Sequence, residues 1–82
     1  MIRIKVKVFA LLKEKMGREE LMLELLEGVS CQDVFSLLAG SFTDLGPLLE
    51  KSLVAVNGWY ADRNKSLLAG DELAILPPVS GG

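Results

Sequence analysis

The residues with the clearest chemical potential lie in the stretch LPPVSGG, at residues 76–82. A free α-carboxylate has a pKa of about 3.3–3.7, so at Gly82 it is an anion and a poor electrophile until a leaving group activates it. Gly81 and Gly82 have no Cβ atom, which lets the backbone thread a narrow channel. Pro77 and Pro78 fix φ and stiffen the base of the tail. The pattern favours a carboxylate that reaches another protein's active site over an inert chain end.

Composition excludes most self-contained catalytic sites. The 82 residues include no histidine and one cysteine, Cys31. Ser–His and Cys–His nucleophile pairs are therefore absent, and one cysteine cannot complete a tetrahedral zinc site. The sequence also contains no GxGxxG or Walker-type glycine loop. We expect a chain that is not catalytic alone and binds no cofactor.

Charge and hydropathy narrow the class of partner. Hydrophobic residues make up 50% of the chain, charged residues 24%, and the formal net charge is −2. This balance predicts one compact domain without affinity for nucleic acid or an anionic membrane. No apolar run reaches the roughly 18 residues of a membrane span, and MIRIKVKVF alternates charge, unlike a signal peptide. We therefore expect a cytoplasmic protein.

The first half of the chain must supply two strands and a short helix. Alternating apolar residues predict strands at Ile2–Val8 and Leu21–Leu26, although the second stretch also suits a helix. Between them, Ala10–Met16 is predicted to be helical, with Gly17 as the residue that ends the helix. The charged residues Arg3, Lys5 and Lys7 then share one face of the first strand, as a solvated or edge-protecting face or as a contact for an acidic partner.

The main helix is signalled by the segment VSCQDVFSLLAG. Ser30 is a suitable N-cap and Asp33, three residues later, can complete a capping box. We expect the helix to end at Gly40, with an apolar face made by Val34, Leu37 and Leu38.

The second half predicts a helical turn, a hairpin and a last strand. The turn is expected at Leu48–Lys51, and Asn57-Gly58 between LVAV and WYA indicates a hairpin with a type I′ turn. ELAIL, before Pro77, is the last strand. This order predicts an α+β fold of the β-grasp (ubiquitin-like) class, with a small mixed sheet packed on one main helix. The domain comprises residues 1–76, and residues 77–82 form a flexible tail that ends in Gly-Gly.

The whole chain resembles the MoaD/ThiS family of small sulfur carriers, and within it the molybdopterin synthase branch. The matching stretches are VFALLKEKMG, EGVSCQDVFSLLA, VAVNG and LAGDELAILPPVSGG. The resemblance implies that Gly82 is adenylated by an ATP-dependent activating enzyme of the MoeB type. The ATP is used by that enzyme and is not bound by this chain alone. The carboxylate then becomes a thiocarboxylate and donates sulfur to the cyclic pyranopterin precursor of molybdopterin.

The resemblance also implies a second partner, a large subunit of the MoaE type, which carries the catalytic side chains in a heterotetramer. A thiazole-pathway carrier and a ubiquitin-like modifier that forms isopeptide bonds through Gly82 stay open as alternatives, as does an inert interaction module. The helix after the first strand favours the molybdopterin branch.

Strand parity suggests where a partner docks. Phe9 and Leu76 fall on the face opposite the core positions, each at the end of its strand. If the two strands are parallel neighbours, the two side chains lie together at the root of the tail and form an apolar contact. Tyr60 is a further candidate. The tail residues complete the predicted contact: Pro77, Pro78, Val79 and Ser80.

Three other residues have a structural and a chemical interpretation. Trp59 and Phe35 are interpreted as packing rather than ligand-stacking residues. Cys31 stands at the first position of the main helix, a position at which the helix dipole can lower the pKa of a thiol. Because it has no histidine or second cysteine, we interpret it as an incidental thiol.

Overall fold

A computed structural model describes residues 1–78 of the chain. The elements, in chain order, are β1 (Ile2–Val8), α1 (Ala10–Met16), β2 (Glu20–Leu25), α2 (Cys31–Ser41), α3 (Gly46–Glu50), β3 (Leu53–Val56), β4 (Trp59–Ala61) and β5 (Glu72–Leu76), and a 3₁₀ turn at Thr43–Leu45 precedes α3. The strands form one sheet in the order β2-β1-β5-β3-β4, in which β1 and β5 are parallel and the other neighbours are antiparallel. This is the predicted β-grasp arrangement.

The predictions for the first half are largely confirmed. β1 alternates as expected, with its four aliphatic side chains buried. α1 ends at Gly17, where φ is +73° and the N–H donates to the carbonyl of Lys13 at 2.9 Å. The helical alternative for Leu21–Leu26 is wrong, because β2 pairs residue by residue with β1. Cross-strand pairing therefore decided what the local pattern left open.

Helix α2 has the predicted start but a different end and face. The backbone N–H of Asp33 donates to Ser30 Oγ at 3.2 Å, and Ser30 N–H donates to Asp33 Oδ2 at 2.9 Å, which completes the capping box. The helix continues through Gly40 to Ser41. Leu37, expected on the buried face, is 44% exposed. The core face instead follows the i, i+3, i+4, i+7 spacing, with Cys31, Val34, Phe35 and Leu38.

The second half contains the predicted hairpin and last strand. Asn57 and Gly58 have φ values of +52° and +89°, the signs that a type I′ turn requires. The helical turn lies at Gly46–Glu50 instead of the predicted Leu48–Lys51, because Pro47 suits the first turn of a helix.

An arginine clip, missed by the sequence analysis, joins α3 to the loop after β4. The Arg63 guanidinium donates to the carbonyl oxygens of Leu49, Glu50 and Ser52 at 2.8, 2.7 and 2.7 Å. It also lies 4.3 Å from the centroid of the Phe35 ring. The clip supplies a donor to the carbonyl groups of Glu50 and Ser52, at and just after the end of α3, and a further donor to Leu49, whose carbonyl also accepts from the Ser52 N–H at 3.0 Å.

Helices α1 and α2 and the buried side chains lie on one face of the sheet. The core is built from alternate residues of β1, β3 and β5 and from the inner faces of the helices. Within residues 1–78, no helix has the length and hydropathy needed to cross a membrane. The opposite face of the sheet carries no helix in this part of the chain.

Candidate functional site

The carboxyl ends of the neighbouring strands β1 and β5 meet at the same end of the sheet. The strands are parallel neighbours, as predicted, and Val8 is aligned with Ile75 in their register. Phe9 and Leu76 are the next residues along each strand. Pro77 is half-buried and Pro78 exposed. The first described part of the tail thus begins beside Phe9.

Phe9 is held in place by backbone contacts. Its carbonyl oxygen accepts from the N–H groups of Leu12 and Lys13 at 3.1 and 3.3 Å, which fixes it as the N-cap of α1. Ala10 follows with φ of +51°, a left-handed conformation that costs a residue with a Cβ atom about 1–2 kcal/mol. The strained turn directs the chain from β1 into α1 and leaves the Phe9 ring 42% exposed.

An apolar surface, which we call the outer patch, covers the helix-free face of the sheet beside Leu76. Leu53 lies opposite Leu76, and Ala55 lies between Ala74 and Tyr60 in the strand register. Tyr60 is 75% and Leu53 59% exposed, although both belong to a well-formed hairpin. With Phe9, this brings all three predicted docking residues to one face of the sheet. The outer patch consists of Phe9, Leu53, Ala55, Tyr60, Ala74 and Leu76.

Sequence reasoning missed Leu53, although its parity carried the signal. Leu53 and Ala55 alternate with Val54 and Val56, whose side chains are buried. The stretch LVAV is apolar at all four positions, so its pattern did not distinguish the two faces. Only the pairing of Leu53 with Leu76 assigns Leu53 to the outer patch.

Basic side chains border the outer patch on β1. Arg3 forms an ion pair with Glu24 at 2.8 Å, and Lys5 one with Glu20 at 3.8 Å. The guanidinium of Arg3 lowers the pKa of Glu24 through its hydrogen bond and its charge. An edge-protecting role is wrong, because β1 lies between β2 and β5 inside the sheet. The face is solvated and largely neutralised.

Cys31 lies far from the outer patch in the fold, on the helix layer. It is fully buried, and its N–H donates to the carbonyl of Lys65 at 3.0 Å. Burial raises the pKa of the thiol above its ordinary value, because desolvation outweighs the lowering effects of the Lys65 charge and of a backbone hydrogen bond. The lowered pKa that a helix start can give a thiol is therefore not found here. A protonated, enclosed thiol is a poor nucleophile.

The two aromatic residues interpreted as packing residues differ. Phe35 is buried beneath the Arg63 guanidinium, as expected. Trp59 is 79% exposed, so its assignment to packing is wrong. It pairs with buried Val56 and has core parity, but it lies on the edge strand β4, where the helices do not cover it.

The predicted reactive end of the tail finds no structural test. Val79, Ser80, Gly81 and Gly82 lie outside the described residues. Among residues 1–78, no group of three or more acidic, histidine or cysteine side chains is arranged to hold a metal ion. A surface depression of about 580 Å³ lies between β4 and the loop before β5, not beside Phe9 and Leu76.

Comparison with known proteins gives consistent matches. The ThiS family matches residues 6–82. The molybdopterin synthase sulfur carrier subunit of Dictyostelium discoideum is 34% identical over 83 residues, covering 98% of this chain and 96% of that protein. Among solved structures, SAMP1 from Haloferax volcanii superposes with a TM-score of 0.83 at 30% identity, over 98% of this chain and 99% of that one. The putative molybdopterin converting factor subunit 1 from Pyrococcus furiosus gives a TM-score of 0.86 at 26% identity, over 96% and 100%.

Proposed function

The chain belongs to the ThiS family, and we propose that it is the sulfur-carrier small subunit of a molybdopterin synthase. Its full-length similarity to the Dictyostelium carrier subunit supports this assignment. The observation that carries the proposal is the outer patch at the root of the tail. Leu76 closes β5, lies in that patch and is followed directly by Pro77.

The outer patch suits a protein partner. Phe9, Leu53 and Tyr60 there remain open to water although the sheet beneath them is well packed. Buried aromatic anchors are what protein interfaces use for binding energy. We propose that a large subunit of the MoaE type covers Phe9, Leu53 and Tyr60. Residues 77–82 would then extend from the covered surface toward that subunit's active site, and two such pairs would form a heterotetramer.

The chemistry of the carrier is assigned to Gly82. A carboxylate resists nucleophilic attack because it is already an anion. In an activating enzyme of the MoeB type, a carboxylate oxygen would attack the α-phosphorus of ATP and release pyrophosphate. A hydrosulfide ion would then displace AMP from the acyl carbon, leaving a thiocarboxylate. When the sulfur passes to the pyranopterin precursor, water would attack the acyl carbon, the carbon–sulfur bond would break and the carboxylate would be regenerated.

This division of labour fits the residues of the chain. The sequence has no histidine, and its one thiol is buried and protonated. The acid–base groups for each step would therefore come from the partners. The role of Gly81 would be steric, since a second residue without a Cβ atom lets the chain end enter a narrow channel.

The test is intact-mass measurement after co-expression with the activating enzyme and a sulfur source. We expect a mass increase equal to the replacement of one oxygen by sulfur, and its loss on incubation with the large subunit and precursor. The variant without Gly82 should fold normally and show no increase, because none of the buried residues is changed.

Two controls make the outcome decisive. Cys31→Ala should still acquire the sulfur, since its thiol is enclosed. A normal thiocarboxylate yield from the chain without Gly82 would refute the carrier assignment. Conjugates of this chain with lysines of other proteins, without sulfur transfer to the precursor, would show a modifier instead.

A further inference from the structure

The edge strand β2 leaves its outer backbone groups without partners in the described part of the chain. Among residues 1–78, β2 pairs only with β1. The N–H of Val8 donates to the carbonyl of Glu19 at 3.0 Å, and hydrogen-bonded pairs alternate along an antiparallel ladder. The backbone groups of Leu21 and Leu23 therefore face β1. Those of Glu20, Met22 and Glu24 point away from the sheet.

This edge lacks the usual protection against pairing with another strand. Natural edge strands carry lysine, proline, bulges or unpaired charges. β2 reads ELMLEL and pairs with β1 without interruption, so it has none of the first three. Its two charges, Glu20 and Glu24, are engaged by Lys5 and Arg3 on the neighbouring strand.

The side chains of β2 are also incompletely covered. Leu21, Leu23 and Leu25 point to the helix-facing side but are only half-buried, unlike the equivalent residues of β1. Met22 on the other side is 58% exposed. An added strand would therefore bury apolar surface on both faces as well as satisfy the outer backbone groups.

We propose that the occupant is a second copy of this chain, paired antiparallel through β2. The sequence of β2 is complementary to itself when the twofold axis passes through Leu23. In that register Leu21 faces Leu25 of the second copy, Leu23 faces Leu23, and Met22 faces Glu24. The outward groups of Met22 and Glu24 then form the hydrogen-bonded pairs, as the ladder requires.

The competing register is disfavoured by charge. With the axis at Met22, Glu20 would lie directly opposite Glu24 of the second copy, twice per dimer. Like charges directly opposite in a ladder are destabilising. With the axis at Leu23, Glu24 faces Met22 and Glu20 faces Leu26 of the second copy, and each glutamate keeps its own cationic partner on β1.

The dimer leaves the proposed docking face free. The sheet would become ten-stranded, with two β2 strands at its centre, whereas Leu53 and Tyr60 lie on β3 and β4 at the other side of each copy and Leu76 lies on its central strand β5. This inference does not depend on sulfur transfer. A dimer without carrier activity, or a carrier that stays monomeric, would separate the two proposals.

The first measurement is sedimentation equilibrium of the full chain up to about 1 mM, a range that detects weak association. We expect the mass to rise toward that of two chains. Amide hydrogen exchange of the same samples should show Met22 and Glu24 protected only at high concentration. The proposal is overturned if the mass stays that of one chain at every concentration, or if the amides of Met22 and Glu24 exchange equally fast at low and at high concentration.

Two opposite charge variants test the register. Met22→Glu places a carboxylate opposite Glu24 of the second copy and should raise the dimer dissociation constant by about tenfold. Met22→Lys places a cation there and should leave that constant unchanged or lower it. Met22 is exposed, so the monomer should accept both substitutions, and opposite Lys5 the glutamate is the better tolerated of the two.

The remaining outcomes are also decisive. If both variants dissociate the dimer, the Leu23-centred register is wrong, because only a Met22–Met22 pairing opposes both charges. The control is Trp59→Ser on β4, the other edge of the sheet. It should leave the dimer unchanged, and loss of the dimer in that variant would assign association to β4 and overturn the proposal.

Discussion

Truncation of Phe9 to alanine separates docking from folding. The ring is 42% exposed, and complete burial of such a side chain is worth about 1.5–3 kcal/mol. The part that a partner can still bury is therefore worth about 0.6–1.3 kcal/mol. At 1.4 kcal/mol for each factor of ten, Phe9→Ala should weaken the complex with the large subunit by about three- to ninefold.

Two controls make this result specific. Leu37 is 44% exposed, nearly the same fraction, but lies on α2 away from the outer patch, so Leu37→Ala should not change affinity. Ile75 is fully buried near the same end of β5, so Ile75→Ala should lower the free energy of unfolding by about 2–5 kcal/mol through the cavity it leaves. Phe9→Ala should cost only about 1–2 kcal/mol, for the part already buried.

The assay is calorimetric titration with the large subunit, paired with urea unfolding of the same variants. Affinity should fall for Phe9→Ala and stay constant for Leu37→Ala. Suppose that the wild-type protein, Phe9→Ala and Leu37→Ala bind the large subunit with equal affinity, and that Phe9→Ala is as unstable as Ile75→Ala. Phe9 would then belong to the core, and the docking surface would lie elsewhere.

Three further predictions follow from individual contacts. Cys31 should resist thiol reagents in the folded protein. Because folding raises the pKa of its thiol above the ordinary 9.0, the protonated thiol contributes stability that is fully present below that pH. This contribution is lost as the pH rises through the folded pKa. In denaturant melts across that pH range, the free energy of unfolding should depend less steeply on pH for Cys31→Ala than for the wild-type protein. Identical slopes for the two proteins would contradict this prediction. Arg63→Met should lower the free energy of unfolding by about 2–3 kcal/mol, since three carbonyl groups lose a charged donor, with a change below about 0.5 kcal/mol arguing against the clip. In an NMR titration, Arg3→Gln should return the lowered pKa of Glu24 toward 4.5; the ion pair is present above that value and lost as pH falls through the folded pKa, so an unchanged pKa would contradict the assigned cause.

The sequence predicted the elements well where the signal is local. The capping box of Ser30 and Asp33, the Asn57-Gly58 turn and the Gly17 helix end depend on a few neighbouring residues, and the structure has all of them. The parity of β1 and β5 also assigned Phe9 and Leu76 to the outward face, because side chains alternate strictly along a strand.

Local signals failed where burial depends on the neighbouring layer. Leu37 and Phe35 both fit a helical apolar pattern, but only contact with the sheet decides which one is buried. Cys31 has a helix-start position that favours a lowered pKa, and only the packing around it reverses that direction. Trp59 has core parity, yet the helices end short of its strand.

By itself, the sequence determined the order of strands and helices and the family, and it predicted the tail residues that carry the sulfur, because these follow from local pattern and from motifs. The tertiary structure decided the rest. It paired Leu53 with Leu76, placed Tyr60 beside them and left β2 at the edge of the sheet. These relations join residues far apart in the chain, and no alternation within one segment specifies which strand lies beside it or which face another layer covers.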